Sequence, residues 1–345
     1  MPLGKIEYKG QQVNENQLSQ QKTGVLLVNL GTPDAPTKPA LRRYLKQFLS
    51  DPRVVEAPRL LWSLVLNGVI LNTRPKKSAA AYETVWTDEG SPLLQISRQQ
   101  EQKLRELLQE KFGGEVLVEL GMCYGSPSIP SALDSLRRQG VSHIVVLPMF
   151  PQYSGSTNGA VFDAVTNELQ KWRWVPGISY VSTWHDNPSY IQALANSISE
   201  SLESNGKPEK LIFSFHGTPK SYLEKGDPYF YYCQKTALAV VDMLGLKEKD
   251  YQVCFQSRFG PEEWLQPYTD ETLESLAKRG VKNVSVICPG FVADCLETIE
   301  EIGEENKEIF LENGGEGYSY IPCVNDTDLF VQSMFETLEP FLPRV

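Results

Sequence analysis

The chain has 345 residues, 41% hydrophobic and 22% charged, an ordinary globular composition with room for two domains. A formal charge of −10 excludes the basic face that a nucleic-acid partner requires. No run approaches the ~18 apolar residues of a membrane span, and six scattered cysteines without a CxxC pair read as reduced, buried thiols of a cytoplasmic protein.

Residues 1–22 are polar and lack the apolar core of a signal peptide, so a flexible tail is expected there. A first α/β domain is placed at 23–177 and a second at 178–340. Strand-like runs recur at 25–30, 116–120, 144–147, 178–183, 211–215, 252–255 and 284–287. Helical periodicity fills most of the gaps, at 96–112, 130–139, 188–204, 229–244 and 270–279. This alternation predicts parallel sheets covered on both faces. Residues 50–92 read as an insertion that forms a cleft lip. Within it, the apolar run 59–71 is broken by Ser63, Asn67 and Gly68 and is taken as a buried helix. The alternative is a greasy lip over an apolar ligand or a peripheral membrane contact.

The chain repeats itself. The run 135–148 reads like 275–289, each an amphipathic helix, a Gly-Val corner and a β-branched strand stopped by proline. Upstream, the run ending Leu30-Gly-Thr-Pro33 mirrors the one ending His216-Gly-Thr-Pro219. Tyr124-Gly125 and Phe259-Gly260 form a third match in the same order, which implies a duplicated α/β unit with one large site in the cleft between copies. Neither GxGxxG nor GxxxxGK[ST] nor a GxSxG elbow is present, which disfavours dinucleotides, nucleoside triphosphates and serine hydrolysis.

His216 is one of three histidines and stands at the end of an apolar strand, where open α/β sheets place their ligands. About seventy residues on, a second strand end leads into an acidic row in which Glu297, Glu301 and Glu305 recur every fourth residue. On an α-helix these three share one face, although like charges at this spacing are mildly repulsive. An imidazole and a hard oxygen donor together suit a divalent transition metal such as Fe2+, and both accept protons. His143 reads as structural, and His185 carries less weight as a cleft residue. Trp264 lies in an irregular loop with no helical core to fill, and Tyr153 and Tyr124 sit just beyond strand ends. Several aromatics round one cleft suit a large flat apolar ligand.

On these residues the chain resembles the ferrochelatase family over about 24–340. The motifs are Leu30-Gly-Thr-Pro33, Phe48-Leu-Ser-Asp-Pro52, Arg74-Pro-Lys-Lys-Ser78, Gly90-Ser-Pro92, Pro151-Gln-Tyr-Ser154, Phe213-Ser-Phe-His-Gly-Thr-Pro219, Gly260-Pro-Glu-Glu-Trp264 and Pro289-Gly-Phe-Val-Ala-Asp-Cys-Leu-Glu-Thr298. The resemblance implies two similar Rossmann-like domains with parallel sheets, a chelatase-type fold flanking a cleft. It implies insertion of Fe2+ into protoporphyrin IX, with His216 and Glu297 as the catalytic and metal-binding pair and Glu301 and Glu305 as a path for metal or protons. It further implies that Leu30, Tyr124, Tyr153, Trp264 and Asp294 contact substrate.

The sequence departs from relatives at Cys123, where many carry arginine, at Cys295, where some carry histidine, and at Leu30, which replaces Met or Tyr and cannot ligate product iron. The chain stops at Val345 with Cys323 its nearest cysteine. No iron–sulfur cluster and no other prosthetic group is therefore expected, Fe2+ being a substrate. A cytoplasmic monomer is expected, with peripheral inner-membrane contact as an option. The rivals are a chelatase for another tetrapyrrole or metal, and a two-domain periplasmic-type binding protein.

Overall fold

The computed structural model describes residues 7–10 and 22–344. Most of the expected tail lies outside the described residues. The part that is described is docked: the Lys9 amide donates to the Lys171 carbonyl at 2.7 Å, and the Lys9 ammonium lies 2.6 Å from the buried Glu168 carboxylate.

Eight strands form two four-stranded parallel sheets. The first contains β1 (Lys22–Thr32), β2 (Val116–Gly125), β3 (Val141–Pro148) and β4 (Gly177–Tyr180), in the order β2-β1-β3-β4. The second contains β5 (Lys210–His216), β6 (Tyr251–Gln256), β7 (Asn283–Ile287) and β8 (Gly317–Ile321), in the order β6-β5-β7-β8. The two orders are the same pattern, which is the duplication visible in the sequence. Central strands of parallel sheets are buried on both faces and need continuous apolar runs. Val25–Val28 on β1 and Leu211–Phe215 on β5 meet that need, every one of these residues being buried.

The boundary at 177/178 falls inside an element. Residues 177–180 pair with β3 (His143 opposite Gly177), so they complete the first sheet rather than opening the second unit. Nor are the two units separate bodies, because one apolar cluster joins Val25 and Leu27 to Phe213 and Phe215. The helices Pro92–Phe112, Pro188–Asn205, Tyr229–Leu244 and Asp328–Leu338 fill the layer between the sheets. Smaller clusters cover the outer faces, one around Leu26, Val28 and Val146, the other around Ile212, Val286 and Phe310.

The 59–71 run departs from its expected burial. Residues Arg59–Val65 form a helix with no buried residue, and Leu60, Leu61 and Leu64 are 87%, 62% and 73% exposed. Only Leu66 and Leu71 are fully buried, packing with Tyr44, Leu45 and Leu49, and the half-buried Trp62 and Ile70 pack against the same cluster. An apolar composition reads as core from any window, whereas here the helix sits on the rim and has no partner layer. No helix among the described residues is long and apolar enough to cross a membrane.

His185 is buried at the junction of the units, stacked on Tyr232 at 4.1 Å, with Nδ1 3.0 Å from the Thr183 hydroxyl and Nε2 without a partner. Burial pushes its pKa below the ordinary imidazole value; Asp186 pulls it back up and Lys235 pushes it down. The folded chain thus binds this proton less readily than the unfolded chain. The contribution to stability is present above the unfolded value of about 6.5 and is lost as pH falls below it. Melting temperature is therefore expected to fall more steeply below that pH in the unaltered protein than in His185→Gln. Parallel curves would remove His185 as the cause.

Candidate functional site

In sheets ordered 2-1-3-4, ligands bind beyond the carboxyl ends of the strands where the winding reverses. Both sheets present such an edge to one cavity of about 460 Å³. From the first come Leu30, Gly31 and Thr32 at the end of β1, with Met149 and Phe150 after β3. From the second come His216 at the end of β5 and Gly290–Ala293 beyond β7. The insertion supplies Arg74, Lys77 and Tyr82 from the helix Leu71–Val85, which packs on the helix Lys38–Ser50 that carries Tyr44 and Phe48.

His216 is half-buried, and its Nδ1 lies 2.7 Å from the Gly217 carbonyl oxygen. A carbonyl only accepts, so in the neutral ring Nδ1 carries the proton. That leaves Nε2 with its lone pair, as a base or a metal donor.

The acidic row is not an α-helix. Glu297–Glu305 is a π-helix, in which backbone bonds run from residue i to i+5, and such segments favour functional sites. Its last turn shows the wide spacing: the Asn306 amide and the Asn306 Nδ2 both donate to the Glu301 carbonyl, the latter at 2.8 Å. Glu297, Glu300, Glu301 and Glu305 all line the cavity. Glu300, outside the every-fourth-residue row, lies on the same wall.

Glu301 is held at both oxygens by Ser257, whose amide donates at 2.8 Å and whose hydroxyl donates to the other oxygen. Burial raises the Glu301 pKa above the usual carboxylate range, and the Glu297 charge adds to this. The Ser257 hydrogen bonds and the His216 charge restrain the rise. These mutual influences bring His216, Glu297 and Glu301 into one electrostatic neighbourhood. Burial likewise raises Glu300, helped by Glu305 and Glu301 and opposed by Lys77. Carboxyls raised in this way exchange protons closer to neutrality. Among the described residues no group of three or more His, Cys, Asp and Glu converges as a ready-made metal cage. The candidate donors are His216, Glu297 and Glu301, with Glu305 further along the row.

Leu30 and Trp264 line the cavity as expected. Three other residues read as cleft contacts do not. Tyr124 is buried behind the wall, its hydroxyl donating to Asp51 at 2.8 Å and its ring edge-on to Phe48 at 5.1 Å. Tyr153 faces a smaller polar recess with Arg53, Lys225 and Asp227, which shares Ser156 and Tyr222 with the cleft. Asp294 is spent on structure: it accepts from Asn325 Nδ2 at 2.8 Å, from the Tyr320 hydroxyl, and from the Cys323 amide at 3.2 Å. It thereby anchors the loop that leads into Glu297. A strand-end position does not decide which way a side chain turns: Tyr124 and Asp294 turn into the protein, and Tyr153 turns to the neighbouring recess. Sequence reasoning passed over Tyr44, Tyr82, Arg74 and Phe259. Arg74 and Phe259 lie in motifs that the sequence shows, whereas Tyr44 and Tyr82 lie in none.

A sequence model described as Ferrochelatase matches residues 22–340. The chain belongs to the ferrochelatase family. A protein named Ferrochelatase from Alcanivorax borkumensis is 53% identical over 98% of this chain and 100% of its own length. One of the same name from Marinobacter nauticus is 53% identical over 92% of this chain and 86% of its own. "Ferrochelatase 2" from Shewanella oneidensis is 51% identical over 93% and 98%. Among solved structures, the sirohydrochlorin chelatase SirB from Bacillus subtilis subspecies spizizenii superposes with a TM-score of 0.53 at 11% identity, covering 92% of this chain and 94% of SirB. That likeness is one of fold. The two-unit chelatase architecture expected from the sequence is thus the fold of this chain, and a ferrochelatase is a metal-chelating enzyme.

Proposed function

We propose that the chain inserts Fe2+ into protoporphyrin IX to give protohaem with release of two protons, the last step of haem biosynthesis, and so acts as a lyase. Membership of the ferrochelatase family carries this reading. The geometry agrees with it: one cavity, walled by Leu30, Tyr44, Phe48, Phe291 and Trp264, also contains His216 and the carboxylates of the π-helix. An apolar cleft with a few convergent polar groups suits a flat macrocycle.

Metallation requires two pyrrolic N–H protons to leave while the metal loses its waters. In this reading the unprotonated Nε2 of His216 accepts a proton, and Glu297 accepts the second or hands over the cation. Glu301 and Glu305 relay cation or protons along the row, aided by the raised Glu301 pKa. Contacts along the walls hold the ring puckered, so that binding energy offsets the distortion. Arg258 is engaged by Asp270 and Glu271, each at 3.0 Å, leaving Arg74 and Lys77 as the basic groups at the mouth. Few free cations fit a dicarboxylate better than a more highly charged tetrapyrrole. In the proposal iron is substrate only, with no prosthetic group and no iron–sulfur cluster. Cys233, Cys254 and Cys295 lie in separate apolar clusters, burial raising each thiol's pKa.

The deciding experiment is anaerobic spectrophotometry of Fe2+ uptake into protoporphyrin IX, with coproporphyrin and sirohydrochlorin in parallel. Protoporphyrin is expected to be metallated fastest; preference for either competitor would overturn the substrate assignment.

The proposal extends to a cytoplasmic monomer that touches the inner membrane through the rim helix. Leu60, Leu61 and Leu64 form an exposed apolar ridge on the 50–92 segment, suited to insertion at a lipid interface. In liposome flotation the unaltered protein is expected to rise with the vesicles, and a triple change of these leucines to Ser is expected to stay at the bottom. Equal behaviour of the two proteins would remove the ridge as an anchor.

A further inference from the structure

Two arginines stand at the cleft mouth in different states. Arg258 is pinned by Asp270 and Glu271 and stacks over Tyr268 at 4.0 Å. Arg74, on the opposite lip, pairs with no carboxylate among the described residues. Its guanidinium carbon lies 5.4 Å from the ring centroid of Phe259. Phe259 in turn lies 5.2 Å from Trp264, so the chain of contacts runs Arg74–Phe259–Trp264.

The contact joins the two walls. Arg74 belongs to the helix Leu71–Val85 of the first unit. Phe259 belongs to the loop after β6 in the second, between Ser257 at φ +64° and Gly260 at φ +79°. Phe259 is 42% exposed and an added Cβ at Gly260 would meet nothing, so the Phe259 side chain has room to rotate off Arg74. The near end of the loop stays tied through Ser257 and Arg258. Its far end is fixed, because the Leu265 amide donates to the Thr218 carbonyl at 3.0 Å.

We propose that Arg74 and Phe259 form a latch across the cleft mouth, and that a carboxylate on the entering ligand releases it by taking the guanidinium. An exposed cation–π contact is weak, whereas a carboxylate binds a guanidinium through two charge-assisted hydrogen bonds. The exchange therefore favours the open mouth only when an anionic side group arrives. A neutral macrocycle must break the latch with nothing in return. Phe259 thus sets access rather than contributing a wall contact, while Arg74 sets ligand charge preference. The inference rests on the reading of the cleft as a porphyrin site.

The test is fluorescence titration of protoporphyrin IX and its dimethyl ester into the unaltered protein, Phe259→Leu and Phe259→Tyr. Phe259→Leu keeps an apolar side chain but removes the ring. It is expected to bind both ligands ~2- to 5-fold more tightly, the size of an exposed cation–π contact, with association accelerated. Phe259→Tyr keeps the ring and is expected to match the unaltered protein, and melting of all three shows that they fold. Weaker or unchanged binding by Phe259→Leu overturns the latch alone. Failure of the unaltered, folded protein to bind either porphyrin overturns the cleft reading and the latch with it.

Discussion

Replacing His216 by Ala is expected to lower Fe2+ insertion by ~100-fold or more, the usual worth of a positioned acid–base group. The expectation follows from position and tautomer together. The Gly217 carbonyl orients the ring and leaves Nε2 as its only lone pair, and no other histidine lines the cavity. Glu297→Gln is expected to lose a similar factor, because it keeps the shape of the side chain but removes the charge that attracts the cation. Both side chains are half-buried at the cleft surface, outside the large apolar clusters. Melting should therefore move little, and porphyrin should still bind. Near-normal turnover in either folded variant would sink the assignment. Loss of porphyrin binding instead would make the pair a binding element.

The second large effect concerns the floor of the cleft. Gly31 and Gly125 sit opposite Tyr124 and Thr32 at the paired ends of β1 and β2. Their φ angles are +106° and +88°. A Cβ on Gly31 would lie 1.7 Å from the Tyr124 carbonyl oxygen, and one on Gly125 would lie 2.4 Å from that of Thr32. Each glycine thus admits the backbone of the other strand, and the Tyr44 hydroxyl closes the same corner by donating to the Gly31 carbonyl at 3.1 Å. Gly31→Ala is expected to cost roughly 2–6 kcal/mol, adding backbone strain to an overlap that only movement of the strands relieves. A shift of the denaturation midpoint to lower urea at unchanged slope measures it; an unchanged midpoint would show that the strand ends are looser than this packing requires.

Much of the frame was legible in the chain. Apolar β-branched runs marked seven of the eight strands, and helical periodicity located Tyr229–Leu244 with its bounds intact. Those signals are local, since each residue's propensity and alternation report on its own element. The eighth strand, Gly317–Ile321, is half-buried along most of its length and reads as neither core nor turn. The helices Lys38–Ser50 and Asp328–Leu338 went unassigned, although the first carries part of the cleft wall and the second closes the layer between the sheets. The match of Leu30-Gly-Thr-Pro33 with His216-Gly-Thr-Pro219 located the two central strand ends correctly, because in both copies the chain must leave the sheet at the same kind of turn.

By itself, then, the sequence determined the parallel, duplicated architecture, the family, and the placing of His216 at one strand end and of Glu297 in the acidic helix that follows another, since composition, period and motif are properties of contiguous residues. Tertiary structure decided which side chains share the cavity. Tyr124 and Asp294 turned inward because Asp51, Tyr320 and Asn325 offer them hydrogen bonds from elements distant in sequence. Glu300 joined Glu297, Glu301 and Glu305 on the cavity wall where the helix widens to i→i+5 spacing, and the rim leucines stayed bare because no second layer covers them. Such outcomes depend on contacts between residues far apart in the chain, to which a local pattern is blind.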